Sequence, residues 1–375
     1  MPKKLMISAG EASGELYGAL LSREAKELWP DVRIFGIGGE RMESEGVDLI
    51  ARNSSVIGLT DAAKHLGGLW ESYKKAKNAM SYERPDILVL IDYPDFNIPL
   101  ARKAKAAGIP ILYYVSPQVW AWRSGRVKKI ASLVDKIAVL FPFEVECYRS
   151  ASVPCEFVGH PITETIEVNK TKEELKQGLG LDPGRPVISL LPGSRPAEIQ
   201  RHLPIVKEVA AIIHKELPGY QIVLPLAQGT VLNEEVVDYI AVFRNRTREV
   251  IACSDASAVA SGTATLETAL IGTPLVVFYR TSFISYRILK FMVKVKFVCL
   301  VNLLSGKMVV RELLQGEADP KKIFSELKRI INDLPYRENM IVNLDNIREM
   351  MGGKKPSARV ASIVGEIAGW SSTSA

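Results

Sequence analysis

Short, unbroken apolar runs alternate with longer stretches of helical periodicity from the first residues of the chain. Lys4–Ser8, Arg33–Ile37, Ile87–Ile91, Pro110–Val115 and Lys136–Leu140 are apolar along their length rather than at every second position. That is the pattern of strands covered on both faces. Between them, Gly14–Leu28, Gly67–Ser81, Ile98–Ala107 and Gly125–Leu133 read as helices. Strand and helix repeated in this way predict a parallel sheet in a doubly wound α/β domain. Glu164–Arg185 is polar and runs into Asp182-Pro-Gly-Arg-Pro186, so it reads as a connection with one short helix. A second series follows, with strands at Val187–Leu191, Gln221–Pro225, Ser257–Ala260 and Leu275–Phe278. Helices at Leu203–Lys215, Thr265–Leu270 and Pro320–Ile331 fit between and after them.

The expected architecture is two Rossmann-like doubly wound domains, 1–165 and 166–344, facing a cleft, with a helical tail over 345–375. The tail packs back on the N-terminal domain or swaps onto a partner, which leaves a homodimer open. At 375 residues the chain suits two domains better than one. Ligands of open α/β sheets bind outside the carboxyl ends of the strands.

Composition changes this picture little: 47% of residues are apolar and 24% charged, as in ordinary globular proteins. Cys147, Cys155, Cys253 and Cys299 show no metal-ligand spacing and suit a reducing compartment. Met-Pro-Lys-Lys leads straight into a strand, without an apolar segment of signal-peptide length, and no apolar run is long enough to span a bilayer.

Charge changes it more. No Asp or Glu lies between Glu267 and Glu312, an interval that holds Arg280, Arg287, Lys290, Lys294, Lys296, Lys307 and Arg311. Those cations exceed the net charge of +6, so the basic excess belongs to one segment and argues for a local anionic partner. As a helix, Phe283–Phe297 sets Ile284, Ile288, Phe291 and Val295 on one side and Arg287, Lys290 and Lys294 on another. That is the pattern of a helix lying in a membrane interface; a core helix with a solvated basic edge is the plainer reading. Nucleic acid fits less well, because the cations alternate with large aliphatics rather than with stacking aromatics.

The candidate chemistry sits where predicted strands end. Val187–Ile199 reads as buried strand, Gly193-Ser194-Arg195 turn and new helix, which aims backbone N–H groups at an anion. Arg195 adds a planar charge that can grip two phosphate oxygens, and Glu198 would hold that side chain in place. Arg195 is followed by Pro196, so the Walker lysine is missing and triphosphate hydrolysis is disfavoured. Ser261-Gly262-Thr263 is a second turn of this type, with Glu267 about one helical turn inside and able to take ribose hydroxyls. In the N-terminal half, Ser8–Gly18 is rich in small residues but lacks the dinucleotide spacing. Its small residues would let the backbone approach a ligand, and Glu11 and Ser13 can bond a substrate hydroxyl. Ile91-Asp-Tyr-Pro-Asp-Phe-Asn97 places Asp92 and Asp95 at a strand end, where either can serve as general base or merely close an Asx-turn. Asp95 is favoured as the projecting carboxylate. Gln118, Trp120, Trp122 and Arg123 would line a sugar or acyl site, or an interdomain core. His160 and His202 are isolated and read as structural or rim residues. Zinc hydrolysis and a serine triad have no motif.

Five segments together carry a resemblance: Ala9–Gly14, Ile91–Asn97, Ser116–Trp122, Leu191–Arg195 and Ser261–Glu267. In this order, over roughly 300 residues, the chain resembles the lipid-A-disaccharide synthases. The resemblance implies a glycosyltransferase of the B type that needs no metal or other cofactor. It implies inverting transfer of 2,3-diacylglucosamine from UDP to the 6-hydroxyl of 2,3-diacylglucosamine 1-phosphate, at the cytoplasmic face of the inner membrane. It further implies roles: Asp95 deprotonates the acceptor, and Glu11 and Ser13 orient a sugar. Gly193, Ser194 and Arg195 neutralise the diphosphate, Ser261, Gly262 and Thr263 meet the nucleotide, and Glu267 holds the ribose. Asn302 becomes a sugar contact or a support behind one. Two departures stand out. The family commonly has Asp-Leu-His where this chain has Glu15-Leu16-Tyr17, which puts any contact of that histidine in doubt. The nearest alternative is another two-domain UDP-sugar enzyme, a 2-epimerase or a transferase with a soluble acceptor.

Overall fold

The computed structural model describes residues 2–10, 12–52, 62–115, 124–149, 151–166, 169–226, 230, 232, 236–281, 296–351 and 355–371. The chain divides into two compact units, Met1–Pro161 with Gly353–Ala375, and Ile162–Gly352.

Among the described residues, the first unit is built on a seven-stranded parallel sheet. Its strands are β1 (Lys4–Ala9), β2 (Arg33–Gly38), β3 (Asp48–Arg52), β4 (Ile87–Ile91), β5 (Ile111–Tyr114), β6 (Lys136–Val139) and β7 (Cys155–Phe157). They lie in the order β3-β2-β1-β4-β5-β6-β7. The central strands are buried along their length, which is why their sequences are continuously apolar. Met6, Phe35, Leu88, Leu90, Ile111 and Tyr113 pack against Phe96, Leu100 and Ala104 of the Pro94–Ala106 helix and Ala76 and Met80 of the Ala62–Glu83 helix. The Ala12–Leu28 helix packs against the chain's last helix, Pro356–Ala368.

The second unit repeats the plan with β8 (Val187–Leu191), β9 (Gln221–Leu226), β10 (Ile240–Arg244), β11 (Ala256–Ala260), β12 (Leu275–Tyr279) and β13 (Glu312–Leu314). Its order is β10-β9-β8-β11-β12-β13, again parallel throughout. In both sheets the strand order reverses at the same place, between β1 and β4 and between β8 and β11.

The expected strands are all present, but β3, β7, β10 and β13 are additions. β3, β10 and β13 are half-exposed or short edge strands, although Ile240–Phe243 of β10 is apolar, and β7 is three residues long. The helix expected from Leu203 begins at Pro196, whose missing N–H costs nothing at a first helical position. The tail is helical over two segments. Leu334–Met351 packs within the second unit and Pro356–Ala368 within the first. Arg359 anchors the latter through a bidentate pair with Glu156, at 2.6 and 2.9 Å. Arg359, with Lys136 beside it, holds the Glu156 carboxyl down at about 2. Trp370 packs edge-on against Trp29, ring centroids 5.0 Å apart.

Candidate active site

In each sheet the strand order reverses beside the first strand of the unit, and a loop leaves on either side. Those four loops are the segments after β1, β4, β8 and β11. They carry four of the motifs singled out in the sequence, at the crevice where an open α/β sheet takes its ligand.

After β4 the chain passes through two successive residues in the left-handed region, Asp92 (φ 47°) and Tyr93 (φ 48°), before Pro94 opens a helix. Residues without a glycine's freedom hold this conformation only when neighbours impose it. The buried side chain of Asn97 supplies that constraint. Its Nδ2 donates to the carbonyls of Asp92 (2.7 Å) and Ile91 (3.2 Å), and its Oδ1 accepts from the Ser8 hydroxyl (2.7 Å). The Tyr113 hydroxyl adds a 2.9 Å bond to the Asp92 carbonyl. Asp95 stands exposed in the first helical turn beyond, while Asp92 is half-buried. Val115, at the end of β5, is also left-handed (φ 61°), an unusual state for a β-branched residue.

The glycine after β1 leaves room for a neighbouring side chain. A Cβ on Gly10 would lie 2.1 Å from the Tyr93 ring, so the close approach is by this chain's own tyrosine. Ser13 is exposed on the helix that follows. Glu15 accepts from the Arg41 amide at 2.8 Å, which caps the Glu40–Ser44 helix. Tyr17 is buried, edge-on to His160 (5.8 Å) and near Tyr114 (6.3 Å). Burial pushes the His160 imidazole down to about 3, so it is neutral.

In the second unit, Gly193 takes φ 113° and starts the turn after β8. Ser194 and Arg195 are exposed. Glu198 faces the turn, its Oε2 3.4 Å from both the Ser194 and Arg195 amides. Its link to the Arg195 side chain is loose, at 3.9 Å. Beneath the turn, His202 is wholly buried. Its Nδ1 bonds the Pro192 carbonyl at 2.7 Å and its Nε2 accepts from the Arg280 amide at 3.0 Å. Nε2 lies equally close to the Arg280 carbonyl, at 3.0 Å; burial outweighs the pull of the two carbonyls and lowers the pKa of the ring. His202 is thus structural, tying the β8 turn to the end of β12.

After β11, Gly262 and Thr263 are exposed and Ser261 half-buried at the start of the Thr263–Ile271 helix. Glu267 lies inside that helix and accepts from Arg248 Nε at 2.6 Å. Arg348 reaches the other end of the helix, donating to the Leu270 carbonyl at 2.6 Å. Of the two readings of Asn302, its burial goes against a direct sugar contact and leaves that of a support. It is fully buried and its amide is spent within the chain: Oδ1 accepts from the Val309 and Val310 amides, and Nδ2 donates to the Val310 carbonyl and Glu312, all between 2.7 and 3.0 Å. It shapes the turn before β13 and presents nothing to a donor sugar.

Glu11, Gln118, Trp120, Trp122 and Arg123, and the membrane-facing set Arg287, Lys290, Phe291 and Lys294, lie outside the described residues. Arg248 and the partners of Asn97 and His202 escape sequence reasoning, because each acts through a contact distant in the chain. The one available signal for Arg248 is local: Arg244, Arg246 and Arg248 alternate just after a strand.

Comparison with known proteins adds a family to this geometry. The family described as Lipid-A-disaccharide synthetase matches residues 5–362. A lipid-A-disaccharide synthase of Trichlorobacter lovleyi is 42% identical over 372 residues, covering 97% of each chain. Among solved structures, MurG of Acinetobacter baumannii superposes with a TM-score of 0.58 at 13% identity, over 97% of this chain and all of that one. A UDP-GlcNAc 2-epimerase of Neisseria meningitidis, bound to UDP-GlcNAc, gives 0.59 at 13%, over 97% and 98%. The two likenesses at this identity speak for the fold alone.

Proposed function

Because the chain belongs to the lipid-A-disaccharide synthetase family and is thereby a UDP-sugar glycosyltransferase of lipid A biosynthesis, we propose the reaction in full. The enzyme moves 2,3-diacylglucosamine from UDP to the 6-hydroxyl of 2,3-diacylglucosamine 1-phosphate, giving the β-1,6-linked disaccharide 1-phosphate and UDP. The observation that carries the division of labour is the topology: both switch points end in motif-bearing loops, at β1 and β4 and at β8 and β11. A 2-epimerase, whose fold is shared, is not favoured, because the family and the 42% identical relative both point to the disaccharide synthase.

Asp95 accepts the proton of the acceptor hydroxyl as that oxygen attacks the anomeric carbon, on the face opposite the departing diphosphate, so configuration inverts. Its exposure in the first turn of a helix whose start is held by Asn97 supports this role. Glu11 and Ser13 orient the sugar. On the donor side, Arg195 and the amides around Gly193 and Ser194 take the charge that develops on UDP. Phosphate oxygens would displace the Glu198 carboxylate, whose bonds to those amides are long at 3.4 Å. Ser261, Gly262 and Thr263 offer a second exposed helix start, and Glu267 receives the ribose hydroxyls.

The acid-free segment with Arg287, Lys290, Phe291 and Lys294 docks on the anionic inner face of the cytoplasmic membrane, where acylated substrates reside. No helix among the described residues is long and apolar enough to cross a membrane. Incubation with UDP-diacylglucosamine and the acyl sugar phosphate tests the reaction. UDP release should require both, and release without the acceptor would refute the transfer. Co-sedimentation with anionic vesicles, lost on charge reversal at Lys290 and Lys294, tests the membrane part.

A further inference from the structure

We propose that Arg248 is a positioning residue for nucleotide recognition, holding the Glu267 carboxylate in the orientation that receives the ribose hydroxyls. The inference rests on the reading of Glu267 as the ribose-binding acid. Arg248 lies in the first turn of the Thr247–Cys253 helix, 19 residues before Glu267. Its Nε donates to Glu267 Oε1 at 2.6 Å. The other end of the same planar group grips Thr165, with Nη2 donating to the hydroxyl at 2.9 Å and Nη1 to the carbonyl. The Thr165 hydroxyl donates in turn to the Ile162 carbonyl at 2.9 Å, so it meets Arg248 with its lone pairs. Glu267, Arg248, Thr165 and Ile162 thus form one chain of directed bonds that ends on the first residue of the second unit.

The geometry has a chemical consequence. A guanidinium has donors only, and a ribose diol must donate to be held by a carboxylate. Arg248 therefore cannot replace Glu267; it acts through it. Among the described residues the guanidinium engages one carboxylate oxygen, Oε1, and an ionised carboxylate offers about four acceptor sites across its two oxygens. A glutamate without such a tether samples several rotamers, and binding must then order it. With the tether, that ordering is completed on folding, which is how preorganisation raises affinity. Glu267 is also the less exposed partner, at 16% against 37% for Arg248, so the pair is partly shielded from solvent screening.

The test compares binding of UDP and 2′,3′-dideoxy-UDP, which lacks the diol, to the full chain and its variants. The unmodified protein should prefer UDP by about tenfold or more, as expected for bonds to a charged group. Arg248→Ala should cut that preference to within about threefold while leaving affinity for the dideoxy analogue unchanged within about twofold, and Arg248→Lys should restore part of it. Equal weakening of both nucleotides, or a preference left intact, would overturn the inference and mark Arg248 as merely structural. Glu267→Ala separates the two claims. If it keeps the preference, the ribose reading itself fails. If it loses the preference while Arg248→Ala keeps it, only the positioning role fails. Thermal denaturation checks folding. Should Arg248→Ala not fold, Thr165→Val removes the hydroxyl acceptor and keeps the shape. A twofold to threefold fall in preference, on the order expected for loss of one outer bond, is then predicted, and no change would refute it.

Discussion

At the ends of β1 and β4 the described loops of the first unit are packed by its own side chains. The Tyr93 ring lies over Gly10, Asn97 is buried under the loop, and two consecutive residues are held left-handed. At the matching ends of β8 and β11 the second unit leaves its loops open. Ser194, Arg195, Gly262 and Thr263 are exposed, and the Arg195 side chain keeps 73% of its surface. The strand order is the same, so topology does not account for the difference. A crevice packed with its own side chains suits one carboxylate held in one place. A crevice with exposed amides and a long cation suits an anion that arrives and leaves. On the proposed roles, the difference divides catalytic placement from ligand capture between two copies of one scaffold.

Four measurements would break or sharpen that contrast. The largest effect belongs to Asp95→Ala, for which turnover should fall by about 10²–10⁴-fold, the usual contribution of a general base, with UDP affinity kept. A variant that retained turnover would take the role of base from Asp95 and leave Asp92, at the same strand end, as the candidate. Arg195→Ala should weaken UDP binding by about 1.5–3 kcal/mol through loss of a charge-assisted contact. Its melting temperature should barely move, because the side chain packs against little. Gly10→Ala should act in the opposite way, costing about 1–3 kcal/mol of stability as overpacking against Tyr93, measurable by denaturant titration. If Gly10→Ala were as stable as the parent, the first crevice would be looser than described.

The smallest effect is a pH slope from His160. Its folded pKa lies below the unfolded value, so its contribution is fully present above about pH 6.5 and is lost as pH falls toward about 3. The slope in that window should be on the order of 1 kcal/mol per pH unit, and His160→Gln should flatten it. A slope that survives the substitution would place the acid sensitivity elsewhere.

Much of the fold can be read from the chain because central parallel strands are buried on both faces and so are mainly apolar, as Ile87–Ile91 is throughout and Val187–Leu191 is apart from Ser189, whose hydroxyl is paired with that of Ser257 at 2.6 Å. Glu312–Leu314 and Cys155–Phe157 have no such imprint, since a three-residue strand carries no period. The site divides in the same way. Gly193-Ser-Arg195 and Asp92–Asn97 announce themselves as turns after strands. That Asn97 would bond Ser8, 89 positions away, or that His202 would join Pro192 to Arg280, depends on which strands become neighbours. Asn302 is ambiguous for the same reason, because an amide beside a basic segment reads equally as a ligand contact or as a support until its internal bonds are known.

The last helix also bears on the order of synthesis. Pro356–Ala368 packs on the Ala12–Leu28 helix, and a Cβ on Gly365 would fall 2.5 Å from the Trp29 ring. A nascent chain can therefore finish the core of its second unit while the first, made earlier, still exposes the surface around Trp29. The part translated first is completed last, and until residue 371 leaves the ribosome that surface is the one a chaperone would meet.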